Sequence, residues 1–243
     1  MEMPGSTVGE SDEWMDAHRQ LDQASPAHIL QWALRRFGDE VIASSSFQTQ
    51  SMPLLHMISL WAPRLPVIFL DTGYHFPETL AFRDKIVSLW KLNLRIARTA
   101  SGDHPAGQPQ GNLYQRDPDL CCHLHKVVPM QEALRGYRAW ISGIIPDQTA
   151  ERAHLQVLEP GASVLRIHPL AFWSRRDVFN YIAEHRLPEH PLTSQGYLSI
   201  GCEPCTRPVQ IGEMARAGRW AQSAKTECGL HTQLRPSAMD KTP

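Results

Sequence analysis

At 243 residues, with 42% apolar and 20% charged residues, the chain is long enough to bury one sizeable core and has the composition of a globular protein. A formal net charge of −1 gives no broad electrostatic basis for binding nucleic acid or an anionic membrane surface. The start, from Met1 to Asp16, lacks the basic and apolar regions of a signal peptide, and no apolar run approaches the ~18 residues of a membrane span, so a cytoplasmic location is expected.

Residues 1–24 lack apolar periodicity and are expected to form an arm or a short first helix. Ser25-Pro26 then marks a helix start, with serine at the N-cap and proline at the first helical position. Ile29, Leu30, Ala33, Leu34 and Phe37 follow at helical spacing, and Gly38 supplies the stop. Val41-Ile42-Ala43 reads as a buried strand that opens into the polar loop Ser44–Gln50. Met52, Leu55, Met57, Ile58 and Trp61 predict the next helix, closed by Pro63. Pro66–Leu70 is the clearest strand: short and continuously apolar, as a parallel strand covered on both faces must be. Asp71-Thr72-Gly73 stands at its end, Pro77 opens a helix to about Lys91, and Leu92–Ala97 reads as a third strand. This alternation implies right-handed crossovers and an α/β fold with an open, doubly wound, mainly parallel sheet. Ligands of such sheets bind beyond the carboxyl ends of the strands, where the loops Ser44–Gln50 and Asp71–Gly73 both fall.

Residues 100–112 form a loop rich in Gly and Pro. Cys121-Cys122 precede a helix of about Lys126–Arg135, and Ala139–Ser142 is a fourth strand leading into Gly143. Val164–His168 reads as a further strand, and Ser174 caps a helix with Val178, Phe179 and Ile182 on its apolar face. Pro208 starts a short helix to about Ala217. Residues 221–243 are small and polar, so the expected organisation is an arm (1–24), one α/β domain (25–220) and a mobile tail.

In a reducing compartment cysteines serve as thiols, metal ligands or nucleophiles more than as disulfides. The five here fall into two pairs, Cys121-Cys122 and Cys202-x-x-Cys205, with Cys228 alone. Adjacent cysteines do not easily share an unstrained disulfide, and zinc sites space paired ligands by two to four residues. The two pairs can supply four sulfurs to an iron–sulfur cubane; zinc binding and simple burial are the alternatives. Cys228 lies between Lys225 and His231, which are near enough to favour a thiolate, while Glu227 opposes them. Its functional reading is a nucleophile brought to substrate by closure of the tail, and its plain reading is an incidental exposed cysteine. The Ser44-Ser45-Ser46 loop offers hydroxyls and N–H groups at a strand–helix junction, which suits an anion, and Arg216 and Arg219 could clamp one. His123, His125, His168 and His190 show no ligand spacing and receive no role.

Taken in order, Ser44-Ser45-Ser46-Phe47, Leu70-Asp71-Thr72-Gly73, Cys121-Cys122-x-x-x-Lys126, Cys202-x-x-Cys205, Arg216-x-x-Arg219-Trp220 and Glu227-Cys228-Gly229-Leu230-His231 carry a resemblance. From about Val41 to His231 the chain is similar to the assimilatory adenylyl-sulfate and phosphoadenylyl-sulfate reductases. The resemblance implies an adenine-nucleotide-hydrolase-like fold, related to enzymes with a pyrophosphate loop. It implies that Cys121, Cys122, Cys202 and Cys205 bind one 4Fe–4S cluster, with Lys126 between cluster and substrate. Ser45, Ser46 and Phe47 would line the nucleotide loop, and Leu70, Asp71, Gly73 and Gly143 would hold the adenosine. Arg216 and Arg219 would meet phosphate and sulfate, and Cys228 would be the nucleophile with His231 beside it.

The implied reaction is thioredoxin-dependent reduction of adenylyl sulfate to sulfite and AMP through an S-sulfocysteine, serving cysteine biosynthesis. A glutaredoxin-like reductant is the variant, and a homo-oligomer is expected. Phosphoadenylyl sulfate is the alternative substrate. An ATP-using sulfurtransferase on the same fold is a further reading, but Ser-Ser-Ser-Phe-Gln-Thr-Gln-Ser lacks the Gly-Gly and Asp of an ATP pyrophosphate loop. A zinc-stapled binding protein is another. The sequence departs from many relatives after Ser142, where Ile145 and Pro146 stand in place of two adjacent arginines. Either anion binding is weaker here, or Arg152 supplies a cation from the same loop.

Overall fold

The computed structural model describes residues 16–99, 112–223 and 225–234. Helices α1 (Pro26–Phe37), α2 (Met52–Trp61), α3 (Pro77–Trp90), α4 (Leu113–Arg116), α5 (Pro118–Cys122), α6 (Val128–Ala133) and α7 (Arg175–Glu184) surround six strands. The strands are β1 (Val41–Ser44), β2 (Pro66–Leu70), β3 (Asn93–Ala97), β4 (Ala139–Ser142), β5 (Leu158–Pro160) and β6 (Leu165–Ile167). They form one sheet in the order β3-β2-β1-β4-β6-β5, parallel except for the β5–β6 pair. Chain order runs outward from β1 through β2 to β3, then restarts on the other side at β4. That reversal opens a crevice between β1 and β4 at their carboxyl ends.

Alternate strand residues serve two cores. Val41, Ala43, Val67, Phe69, Ala139 and Ile141 pack with α1, α2, α3 and α7 in one cluster. Ile42, Ile68 and Trp140 pack on the opposite face with Val127, Met130 and Leu134. Both faces being covered explains why Pro66–Leu70 is apolar throughout. Ser25 caps α1 as expected, its hydroxyl accepting from the His28 N–H at 3.3 Å, and Ser174 and Asp177 form a reciprocal capping box on α7. Among the described residues no helix is long and apolar enough to cross a membrane.

Several expectations are corrected. The helix expected over Lys126–Arg135 begins earlier: α5, a π-helical turn (His123–Val127) and α6 run on from Pro118 to Ala133. Pro129 has no N–H to give, and the Val128 N–H bonds to the His123 carbonyl, so the helix widens by one residue. No helix forms over 208–217. The chain turns back instead, Thr206 bridging Arg219 and the Arg207 N–H donating to the Gly218 carbonyl. A Cβ at Gly218 would strike the Arg207 carbonyl, so glycine is what allows the close return. Phe179 is 41% exposed, not part of the α7 core face. The three-residue strand β5 was too short to read from the pattern.

Residues 16–21 are helical, with Ala17 and Leu21 in the first core cluster. The Gly/Pro-rich loop lies outside the described residues except at 112, and the tail is described over 221–223 and 225–234. That last stretch is docked. Leu230 and Leu234 join the second core, and the Ala162 N–H donates to the Leu234 carbonyl at 3.0 Å.

Candidate active site

A cavity of about 170 Å³ occupies the crevice at the ends of β1, β2 and β4. Ser45, Ser46, Leu70, Gly143, Lys126, Arg216, Arg219, Cys228 and His231 all border it. Residues far apart in sequence thus meet at one sheet edge, together with Arg152 and Glu227, neither of which the motifs assigned a role.

The serine loop is held by its own bonds. Ser45 accepts from the Phe47 N–H at 3.1 Å, and its own N–H donates to the Ile68 carbonyl at 3.0 Å. Ser46 accepts from the Gln48 side chain at 3.1 Å. Phe47 itself turns away: fully buried at φ 54°, its ring meets Phe69 edge-on at 5.8 Å in the first core, not in the cavity wall. Asp71 and Gly73 also stay off the wall. Asp71 accepts from the Gly73 N–H at 3.0 Å and from Arg98 at 2.9 and 2.6 Å. Burial opposes the Asp71 carboxylate, but the Gly73 and Arg98 bonds prevail and hold it below the usual range. Thr72 and His75 take those places at the cavity, His75 with Nε2 2.9 Å from the Leu70 carbonyl.

Four cations face this space, and one carboxylate is already seated among them. Glu227 pairs with Arg152 at 2.7 Å, both side chains 8% exposed, and accepts from the Thr149 hydroxyl at 2.8 Å. Arg216 stands 3.9 Å from the same carboxylate and donates to the Thr226 carbonyl at 2.8 Å. Burial and the neighbouring Arg219 push Arg216 down to about 10, still cationic at neutral pH. Arg219 lies over the Trp220 ring at 4.5 Å and donates to the Ile200 carbonyl at 3.2 Å. Burial would lower Lys126, but where the Cys202, Cys122 and Cys228 sulfurs around it are ionised their charge outweighs that and holds its proton more tightly than usual. Ile145 is 1% exposed in the first core, and Pro146 starts a 3₁₀ turn. The cation on this side comes from Arg152, at the end of the next 3₁₀ turn.

The tail is fastened on both sides of its cysteine. Lys225 pairs with Asp119, and the Thr226 hydroxyl donates to Glu151 at 3.0 Å. Beyond the cysteine, Gly229 turns the chain at φ 86°, His231 stacks on Trp140 at 5.2 Å and 11°, and Gln233 bonds His123 at 2.9 Å. The chain so clamped brings Cys228 to the cavity wall.

Behind Lys126 lies a second, smaller void bordered by Cys121, Cys122, Cys202 and Cys205, with Tyr74 and Tyr114. Thr72 lies 3.3 Å from the Cys202 sulfur. Burial, then the neighbouring sulfurs, push Cys121 up to about 12 and Cys205 to about 11. Sulfurs crowded in this way keep their protons unless a metal group displaces them, and four soft donors around one void fit an iron–sulfur group. Among the described residues no three His, Cys, Asp or Glu side chains are arranged to hold a single metal ion.

A sequence profile of the phosphoadenosine phosphosulfate reductase domain matches residues 40–208. The chain belongs to that family. It is an oxidoreductase of the sulfonucleotide-reducing kind. Adenosine 5'-phosphosulfate reductase of Streptomyces coelicolor is 44% identical over 220 residues, covering 88% of this chain and 92% of the relative. Phosphoadenosine 5'-phosphosulfate reductase of Gloeobacter violaceus is 40% identical over 219 residues, covering 88% and 91%. Relatives of both names align over the same stretch, so the alignment leaves the 3′ position of the nucleotide open. The crystal structure of phosphoadenylyl-sulfate reductase from Candida auris, a phosphate complex, superposes with a TM-score of 0.71 at 27% identity, over 85% of this chain and 100% of that one. FMN adenylyltransferase of Candida glabrata, at 15% identity and TM-score 0.55, shares the fold.

Proposed function

We propose that this chain reduces adenylyl sulfate to sulfite and AMP, with electrons from a thioredoxin-type dithiol protein, through a sulfonated Cys228. One observation carries the reading: the docked tail brings the Cys228 sulfur to the same cavity wall as Lys126, Arg152, Arg216 and Arg219. A thiolate approaching a dianion is repelled, and only fixed cations in a water-poor site offset this repulsion.

The Cys228 thiolate attacks the sulfate sulfur, the S–O bond to the nucleotide breaks, and AMP departs with that oxygen and the bonding pair. Cys228 then carries an S-sulfonate. A reductant thiolate attacks its Sγ, sulfite leaves with the S–S pair, and a mixed disulfide forms. A second reductant thiol resolves this disulfide and returns Cys228 as thiolate, so two electrons pass in total. Arg216 and Arg219 hold the departing oxyanions, Lys126 compensates the growing charge on the sulfonate, and His231 braces the tail against Trp140. Cys121, Cys122, Cys202 and Cys205 would hold a 4Fe–4S cluster, which when bound orders the wall behind Lys126 and tunes its charge. The cysteine pairs and the relatives named for adenosine 5'-phosphosulfate support that nucleotide as substrate.

The test is incubation of anaerobically prepared protein with adenylyl sulfate, followed by intact-mass and peptide analysis. A sulfonate on Cys228 is expected, lost on adding reduced thioredoxin and absent from Cys228→Ser; an adduct elsewhere defeats the mechanism. The Gloeobacter and Candida relatives favour phosphoadenylyl sulfate as the second reading. A kcat/KM at least about tenfold higher for it, about 1.4 kcal/mol, would decide for that reading.

A further inference from the structure

Beside the cavity lies a buried polar column that the reaction above does not use. Ser142, the last residue of β4, borders the cavity and is 2% exposed. Its hydroxyl lies 2.8 Å from Nδ1 of His168, a residue with no exposed surface. Nε2 of the same ring faces the Glu159 carboxylate at 3.5 Å, and that carboxylate oxygen also pairs with buried Arg166 at 3.1 Å. Strand register builds the column. Ile141 pairs with Ile167, so the next residues, Ser142 and His168, are neighbours, while Glu159 on β5 faces Arg166 on β6.

The contacts to Glu159 are electrostatic, and charge and donor counting fix the polarity of the Ser142–His168 hydrogen bond. Glu159 and Arg166 cancel one another, so a protonated His168 would be an uncompensated cation cut off from water. The ring is therefore neutral. A carboxylate only accepts, which puts the single ring proton on Nε2 and leaves Nδ1 as a lone pair. The Ser142 hydroxyl must then donate to His168. What it turns to the cavity is oxygen lone pairs alone.

We propose that Ser142, held in this polarity by His168 and Glu159, is a specificity residue that accepts a hydrogen bond from the nucleoside part of the ligand. A phosphate or sulfate oxygen has no hydrogen to give and is repelled there. A ribose hydroxyl or the adenine amino group has one. The column thus sorts the two ends of the substrate, complementing the cations at the other side of the cavity. The inference rests on the sulfonucleotide reading of this pocket.

The test is calorimetric binding of AMP to the whole chain, which needs no turnover. Ser142→Ala and His168→Leu are expected to bind AMP roughly tenfold more weakly than wild type, while His168→Asn, which keeps an oxygen acceptor near the Nδ1 position, stays within about threefold. Three analogues then locate the donor: 2′-deoxy-AMP, 3′-deoxy-AMP and the nucleotide lacking the 6-amino group. One of them should bind wild type roughly tenfold more weakly than AMP yet bind Ser142→Ala as well as AMP does, a cycle that mere structural damage would not produce. Should Ser142→Ala fail to fold, Ser142→Cys, whose sulfur accepts only weakly, replaces it in the cycle. Equal AMP affinity for wild type and the Ser142 variant overturns the proposal, as does a full penalty for all three analogues in that variant. If wild type binds no AMP and gains no sulfonate on Cys228, the sulfonucleotide reading itself has failed; if it gains the sulfonate while the cycle fails, only the role of Ser142 has.

Discussion

Gly201→Ala tests the arginine cluster without touching an arginine. A Cβ at Gly201 would land on the guanidinium of Arg219. The backbone there is fixed: the Gly201 N–H donates to the Thr206 hydroxyl at 3.2 Å, between buried Ile200 and Cys202. The far end of the arginine is what yields. It then leaves the Ile200 carbonyl at 3.2 Å and the Trp220 ring at 4.5 Å. Lost cation–π contact is worth about 1 kcal/mol, so Tm should fall by only about 2–4 °C for a chain of this size. A charge-assisted bond from Arg219 to the departing oxyanion is worth about 1.5–3 kcal/mol, so kcat/KM should fall roughly 10- to 150-fold. Sulfite release and a thermal scan measure the two together. Because alanine acts here only through the arginine, Gly201→Ala should add nothing in an Arg219→Ala background. An equal loss in both backgrounds, or a collapse in Tm, would refute the reasoning.

Three further outcomes follow from the same geometry. Glu227→Gln leaves Arg152 without its carboxylate partner and loosens the docked tail, so single-turnover sulfonation of Cys228 should slow roughly 10- to 100-fold while nucleotide KM does not rise; an unchanged rate would count against the clamp. His190 is 1% exposed and accepts at Nδ1 from the Leu192 N–H at 3.2 Å, and burial lowers it to about 4. Its folded value lies below the ordinary 6.5, so the stability it protects is present above pH 6.5 and lost as pH falls toward 4, by roughly 3 kcal/mol; denaturant midpoints across that window should show this slope, and His190→Asn should flatten it. Cys202→Ser should remove most of about four irons per chain expected from metal analysis, and full iron retention would sink the assignment of that sulfur.

The sheet was legible because its strands obey a local rule. Pro66–Leu70 is apolar throughout and Ala139–Ser142 is apolar up to its last residue, a pattern that a parallel strand covered on both faces tolerates. The loops after them followed from topology alone. Phe47 shows where such reading stops. It belongs to a loop motif, yet its side chain serves the core, and no spacing distinguishes a residue that lines a pocket from one that anchors the loop behind it. The helix expected at Pro208–Ala217 failed for a related reason, since Gly218 permits a close return that composition alone does not reveal.

Long-range charge was the least legible. Glu227 beside Cys228 reads in sequence as an obstacle to a thiolate, because a neighbouring carboxylate disfavours the anion. In the fold it is neutralised by Arg152, a residue 75 positions away, and tied to Thr149. Under the proposed mechanism, the carboxylate that would disfavour a Cys228 thiolate is instead the group that docks this stretch beside Arg152 and Arg216. At the same strand end Ile145 packs in the first core, so the cation there is Arg152, which shares the Glu227 carboxylate with Arg216. Tail closure and anion binding draw on one set of guanidinium groups. Substrate affinity and docking of Cys228 are therefore coupled: a substitution that removes Arg152 should weaken both, whereas one that removes Glu227 should separate them.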